Sequence, residues 1–153
     1  MPRTRLAFDS TATDHLRRRC RRMRGLIDRV GPPTLKLERL GDPYQALVRS
    51  IVYQQLTGKA AATILGRVCA LHDSADIPSP AQILATRDTR LRGAGLSTAK
   101  TAAIKDLARK AHDGEIPSYR KLVRMSDDAI VELLTQVRGI GRWSVEMLLI
   151  FRM

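Results

Sequence analysis

The chain has 153 residues, which is enough for one domain with a hydrophobic core. Its 27 Lys and Arg residues outnumber its 15 Asp and Glu residues, so the formal net charge is +12 and a polyanion is the expected partner. A membrane is disfavoured as the partner, because the sequence contains no run of 18 apolar residues.

The two cysteines, Cys20 and Cys69, lack the spacing of a metal site, and we interpret them as reduced packing residues. No apolar segment typical of a secretory signal follows the N-terminus. Together these features predict a cytoplasmic protein.

The N-terminal region is predicted to be a loose arm over residues 1–12, followed by one helical domain over residues 13–153. Between Asp14 and Val30, apolar residues fall on one helical stripe: Leu16, Cys20, Met23, Ile27 and Val30. Six arginines occupy the rest of that surface: Arg17, Arg18, Arg19, Arg21, Arg22 and Arg24. They form either a solvated helix face or a direct contact with a polyanion, since six like charges repel one another without an anion nearby.

Helix start signals recur along the remainder of the chain. Asp42 followed by Pro43 combines an N-cap with proline at the first helical position. A break is predicted at Thr57 or Gly58, with a helix from Ala60 to Leu71 after it, and further starts are predicted at Ser79, Asp88, Ser97, Ser118 and Ser126. Strands of alternating apolar and polar residues do not occur in the sequence. We therefore predict an all-α fold of eight or nine helices.

Two helices joined by a glycine turn are predicted at about residues 127–151. Apolar residues at helical spacing precede the turn, and others follow it: Ile130, Leu133, Leu134 and Val137, then Val145, Met147, Leu148 and Phe151. Gly139 and Gly141 suit a tight turn where side chains would crowd the backbone. Free N–H groups at the start of the second helix predict phosphate binding at Gly139, Gly141 and Arg142.

The stretch Gly139-Ile140-Gly141-Arg142-Trp143-Ser144-Val145-Glu146-Met147 resembles the helix-hairpin-helix of the DNA glycosylase superfamily, in its 3-methyladenine DNA glycosylase II branch. The family usually has Leu-Pro before the first glycine, whereas this chain has Val137-Arg138, which makes the entry to the turn less rigid. The segments 42–57 and 93–108 also resemble the family, so the similarity covers roughly Asp42 to Phe151. The resemblance implies an all-α, glycosylase-like helical domain.

The function implied by the resemblance is base excision repair of alkylated DNA, in which the enzyme flips a damaged purine and hydrolyses its N-glycosidic bond. Gln55, with Leu56 beside it, would be the wedge that fills the gap in the duplex. Tyr53, Trp143 and Met147 would line the base pocket, although core packing also explains the two aromatic residues. In the family, hairpin carbonyls often hold a monovalent cation, which here would come from Thr135, Val137 and Ile140. No other cofactor is expected.

Trp143 stands where lyase-type members of the superfamily have a lysine nucleophile, so the resemblance implies a monofunctional glycosylase. The four-cysteine cluster of the iron–sulfur branch does not occur in the sequence.

The catalytic aspartate of the family is expected about twenty residues beyond the tryptophan, past Met153. We therefore expect a domain that is incomplete at its C-terminus, with impaired activity and with Glu146 as a weak substitute carboxylate. The alternatives are a non-catalytic helix-hairpin-helix DNA-binding module and a structural helical protein. Without the usual covering helices, the N-terminal stripe and the hairpin helix at Leu149 and Phe151 would be exposed, which predicts self-association.

Overall fold

The computed structural model describes residues 10–31 and 41–152, apart from the side chain of Arg152. These residues form ten helices and no strand, which confirms the predicted all-α fold. The helices are α1 (Ser10–Arg19), α2 (Arg21–Val30), α3 (Pro43–Tyr53), α4 (Gly58–Ala70), α5 (Pro80–Ala85), α6 (Asp88–Gly93), α7 (Thr98–His112), α8 (Tyr119–Leu122), α9 (Asp127–Leu134) and α10 (Arg142–Arg152). No helix in these described ranges is both long and apolar enough to span a membrane.

The chain divides into two compact units, and the first contains α1 and α2. The sequence predicts one helix from Asp14 to Val30, but Cys20 is extended, with φ −136° and ψ 115°, and separates two helices. Arg17 pairs with Asp28 at 2.6 Å within this unit. Of the predicted arm, residues 1–9 lie outside the described residues, and Ser10 to Ala12 begin α1. The described residues of α1 and α2 include none that is buried.

The second unit contains α3 to α10, and most of its helices begin where the sequence predicts a cap. Asp42 Oδ1 accepts a hydrogen bond from the Tyr44 N–H at 2.8 Å. Three other predicted caps accept from the N–H three residues later: Ser79, Ser97 and Ser126. Thr57, predicted only as part of a break, does the same, so α4 begins at Gly58 and not at Ala60. Ser118 precedes α8 without such a bond. At α6 the prediction is wrong, because Arg87 is the N-cap and Asp88 lies in the first turn.

Helix α7 lies at the centre of the second unit and packs against α3, α5 and α6. Its buried face consists of Thr101, Ala103, Ile104, Leu107 and Ala108. Facing helices bury Val48 and Ile51 of α3 and Ile83 of α5. Truncation of a fully buried leucine such as Leu107 to alanine costs about 2–5 kcal/mol. This rigid centre matters for function, because the polar groups at the edge of α7 contact both candidate DNA-binding segments.

Candidate nucleic-acid interface

The hairpin turn, residues 135–141, joins α9 to α10, and its two glycines have different roles. Gly139 has φ 78°, and a Cβ added there would lie 3.1 Å from the Ala103 Cβ of α7. A side chain at this position is therefore both strained and crowded. Gly141 does not have a positive φ, and no described atom would lie within 4 Å of its Cβ. The expectation of crowding is thus confirmed for Gly139 and is wrong for Gly141.

Helix α10 begins with donors available for an anion. The Gly141 carbonyl accepts from the N–H groups of Ser144 at 3.0 Å and Val145 at 3.3 Å. The N–H groups of Gly141, Arg142 and Trp143 therefore precede the first hydrogen bond of the helix. With the positive end of the helix dipole behind them, they are suited to bind a phosphate oxygen.

The Arg142 side chain, predicted from the sequence to bind phosphate, already has two carboxylate neighbours. Its Nε donates to Glu146 Oε1 at 2.9 Å, and a terminal nitrogen lies 3.6 Å from Asp128 Oδ1. All three side chains are at least 43% exposed. Exposed ion pairs of this kind contribute less than about 1 kcal/mol, so a phosphate can compete for the guanidinium.

Arg138 replaces the proline that the family usually has at this point, and the structure shows what its N–H does. The Arg138 N–H donates to Asp106 Oδ2 of α7 at 2.9 Å, while the other oxygen of Asp106 pairs with Arg109. Proline has no N–H, so this bond is specific to the sequence found here. It anchors the entry to the turn, which the sequence predicts to be less rigid. The Arg138 side chain is exposed and forms no ion pair with the described residues.

The 54–57 loop, which contains the predicted wedge, follows α3. Gln55 has φ 57°, a left-handed conformation that costs a residue other than glycine roughly 1–2 kcal/mol. Gln55 is exposed, and Leu56 is 39% exposed although it is a large apolar side chain. The structure therefore presents both predicted wedge residues on the surface, at the tip of a tight turn.

Three side-chain contacts fix this loop. The Lys100 ammonium of α7 donates to the carbonyls of Val52 and Gln54, at 2.7 Å in each case. Burial lowers the pKa of Lys100. Gln54 Nε2 donates to the Gly139 carbonyl at 2.9 Å, which joins the loop directly to the hairpin turn. Sequence reasoning missed Lys100, Gln54 and Asp106. The available signal was the spacing of Lys100, Ala103 and Asp106, which places them on one face of a helix.

A cleft of about 240 Å³ lies between α3 and α10. Tyr53 and Met147, both predicted to line the base pocket, are among its lining residues, with Ala46, Arg49, Ser50, Ser144, Leu148 and Phe151. Trp143 is 69% exposed and lies outside this lining. The Arg49 guanidinium stands 4.8 Å from the centre of the Tyr53 ring. No Asp or Glu of the described residues lines the cleft.

The predicted cation ligands are the carbonyls of Thr135, Val137 and Ile140. The Val137 carbonyl accepts from the Ile140 N–H at 3.0 Å. The carbonyls of Thr135 and Ile140 accept no hydrogen bond from the residues that the structure describes. Neutral carbonyl oxygens suit a hard monovalent cation, so the donor set fits, and this site stays a prediction. Within residues 10–31 and 41–152, no cluster of three or more His, Cys, Asp or Glu side chains could hold a metal ion.

These features define a helix-hairpin-helix protein. The unit is all-α, a glycine turn joins two of its helices, free N–H groups follow the turn, and an exposed loop is hydrogen-bonded to it. Residues 48–148 match the model of the HhH-GPD superfamily of base excision DNA repair proteins. The chain belongs to that superfamily.

Among its relatives, DNA-3-methyladenine glycosylase 1 of Schizosaccharomyces pombe is 38% identical over 110 residues, covering 72% of this chain and 48% of the relative. The alkylbase DNA glycosidase-like protein mag2 of the same organism is 33% identical over 127 residues, covering 82% of this chain and 60% of the relative. The chain thus spans about half to three fifths of the length of these two relatives.

A solved structure of the S. pombe 3-methyladenine DNA glycosylase in complex with abasic DNA is similar to this fold, with a TM-score of 0.78 and 34% identity. The match covers 92% of this chain and 69% of the other.

Proposed function

We propose that the protein is a DNA-binding base excision repair glycosylase of the 3-methyladenine type, which hydrolyses the N-glycosidic bond of alkylated purines after base flipping. The observation that carries this proposal is the Gln54–Gly139 bond, which joins the exposed Gln55–Leu56 tip to the phosphate-binding turn. Because this bond joins the two loops, a wedge and a phosphate anchor can act on the same stretch of DNA. The names of the relatives support alkylated purines as the substrate class.

In the proposed complex, a backbone phosphate binds the N–H groups at the start of α10, while Gln55 and Leu56 replace the flipped base in the stack. Loss of stacking costs a few kcal/mol, which the inserted side chains offset. The flipped base enters the cleft between α3 and α10, beside Tyr53 and Met147. The Arg49 guanidinium stands over one face of the Tyr53 ring, so a cationic base that stacks on that same face has to displace it.

Binding is tested by titrating a labelled duplex that contains an abasic-site analogue, and an intact duplex of the same sequence, at several salt concentrations. We expect the affinity for both to fall steeply with salt, because phosphate contacts release counterions. We also expect the abasic duplex to bind more tightly, because no base has to be flipped. Equal affinity for the two duplexes at every salt concentration would contradict the flipping step.

A non-catalytic helix-hairpin-helix module is the second candidate. The observation that favours it is that no Asp or Glu of the described residues lines the cleft. A glycosylase offsets positive charge on the sugar with a carboxylate, and one well-placed electrostatic group changes the rate by about 10²–10³-fold. The carboxylate predicted as a weak substitute, Glu146, is paired with Arg142. We therefore expect residues 1–153 to bind DNA and to release 3-methyladenine poorly.

The assay is release of free base from methylated DNA, with Glu146→Gln as the comparison. Robust release by the unmodified chain would contradict the expectation of poor activity. Loss of that release in the variant would identify Glu146 as the catalytic carboxylate.

We further propose self-association and a monovalent cation at the hairpin turn. Of the residues predicted to be exposed, Leu16, Val30 and Phe151 are at least 41% exposed and support self-association, whereas four are half-buried: Cys20, Met23, Ile27 and Leu149. A clean monomer by light scattering at tens of micromolar would contradict it.

For the cation, exchange of K⁺ for a large organic cation should lower the melting temperature.

A further inference from the structure

We infer that Lys100 is a positioning residue of the proposed DNA interface, which holds the Gln55–Leu56 tip in its surface-presenting conformation through the carbonyls of Val52 and Gln54. The inference rests on the proposed function for the role of the tip. Lys100 itself does not have to contact DNA, because its ammonium is already directed at the end of α3.

The chemistry at the end of α3 explains why a lysine is effective there. The last carbonyls of a helix lack partners within the helix and carry the negative end of its dipole. A lysine ammonium has three donors and a full positive charge, so one side chain can satisfy two such carbonyls. Both bonds measure 2.7 Å, the length typical of charge-assisted hydrogen bonds.

The bond to the Gln54 carbonyl acts directly on the backbone of Gln55. That carbonyl belongs to the peptide plane that also contains the Gln55 N–H, so fixing it restrains φ of Gln55. The Gln54 side chain is fixed as well, by the Gly139 carbonyl. Strained residues persist when the surrounding structure over-determines them. The conformation of Gln55, with φ 57°, is held in this way by two contacts of Gln54, one through its main-chain carbonyl and one through its side chain.

Lys105 provides a matched control on the same helix. Its ammonium also donates to two carbonyls at the end of a helix, those of Leu84 at 2.9 Å and Thr86 at 2.6 Å. These carbonyls belong to the end of α5 and the residue after it, and the bonds do not involve the 54–57 loop. Substitution of either lysine by methionine keeps the aliphatic stem and removes the charge. A purely structural role predicts the same consequences for both variants.

The test compares Lys100→Met with Lys105→Met in the full 153-residue chain. We expect comparable losses of stability in urea. In Lys100→Met alone, hydrogen exchange of the Leu56 amide, which donates to the Tyr53 carbonyl at 3.3 Å, should accelerate about 5–30-fold, the factor that corresponds to release of one to two kcal/mol. The preference for the abasic-analogue duplex over the intact duplex should fall by a similar factor. Lys100→Arg, which keeps the charge and donors, should recover part of both properties.

Exchange of the Leu56 amide that is equally slow in the two methionine variants would overturn the inference. If Lys100→Met does not fold, Lys100→Gln, which removes the charge but keeps a polar side chain, takes its place, and unchanged exchange of the Leu56 amide together with an unchanged DNA preference in that variant would overturn the inference. Failure of the proposed function is distinguishable, because then the unmodified chain shows no preference for the abasic duplex. The exchange measurement on the free protein still decides whether Lys100 positions the loop.

Discussion

At the end of α3, helix α7 supplies a cation, Lys100, that binds two carbonyls, whereas at the entry to the hairpin turn it supplies an anion, Asp106, that binds an N–H. Between them, Ala103 packs against Gly139. The difference follows from which backbone groups lack a partner, since a helix end exposes carbonyls and the residue after Val137 exposes a donor. One helix face therefore fixes the spacing of the wedge and the phosphate anchor.

The largest effect is expected from filling the contact between α7 and the hairpin turn. Gly139→Val adds a strained φ and a clash with Ala103, and we expect a loss of about 2–4 kcal/mol of stability. Gly141→Ala is the control, because its Cβ meets no described atom, and it should cost less than about 1 kcal/mol. Urea unfolding of both variants measures the difference. Equal losses would show that α7 does not press against the turn at Gly139.

Asp106→Ala tests the contact between α7 and the entry to the hairpin turn. This substitution leaves the Arg138 N–H without its acceptor, and we expect a loss of about 1–3 kcal/mol and weaker duplex binding. Asp106→Asn removes the same charge but keeps an oxygen acceptor, so it controls for the change in net charge. Thermal unfolding and duplex titration test both. If the asparagine variant is as damaged as the alanine variant, the charge rather than the hydrogen bond anchors the turn.

Arg138 and Arg142 can be compared as phosphate contacts. The Arg138 side chain forms no ion pair with the residues described. The Arg142 guanidinium, in contrast, must separate from the Glu146 carboxylate before it can bind a phosphate. We expect Arg138→Gln to weaken binding of all duplexes and to lower the salt slope by about 1. The measurement is the slope of log affinity against log salt, with Arg109→Gln as the control, since Arg109 pairs with Asp106. An unchanged slope would exclude Arg138 from the interface.

The smallest effect is expected from Glu146→Gln. Loss of this exposed pair should change stability by less than about 1 kcal/mol and should raise duplex affinity modestly, because Arg142 is released. Fluorescence titration at low salt measures the change, where surface electrostatics are strongest. Lower affinity in the variant would mean that Glu146 orients Arg142 toward the phosphate instead of competing for it.

Local signals in the sequence determined the helices, most of their caps and the hairpin with its glycines. A cap is a contact between residues two or three positions apart, and helical spacing is read from one segment, so neither requires knowledge of the rest of the fold. The family resemblance added the wedge at Gln55 and Leu56 and the membership that the matched family model confirms.

The tertiary structure decided everything that depends on residues far apart in the chain. Gln54 and Gly139 are 85 positions apart, and Lys100 is 48 positions from Val52, so no pattern within a window connects them. The break at Cys20 and the different roles of the two glycines likewise needed the backbone conformation. The sequence by itself determined that the elements are helices and where most of them begin. Packing around α7 determined which polar groups meet, because buried or terminal backbone groups take whatever partner the fold brings within hydrogen-bond distance.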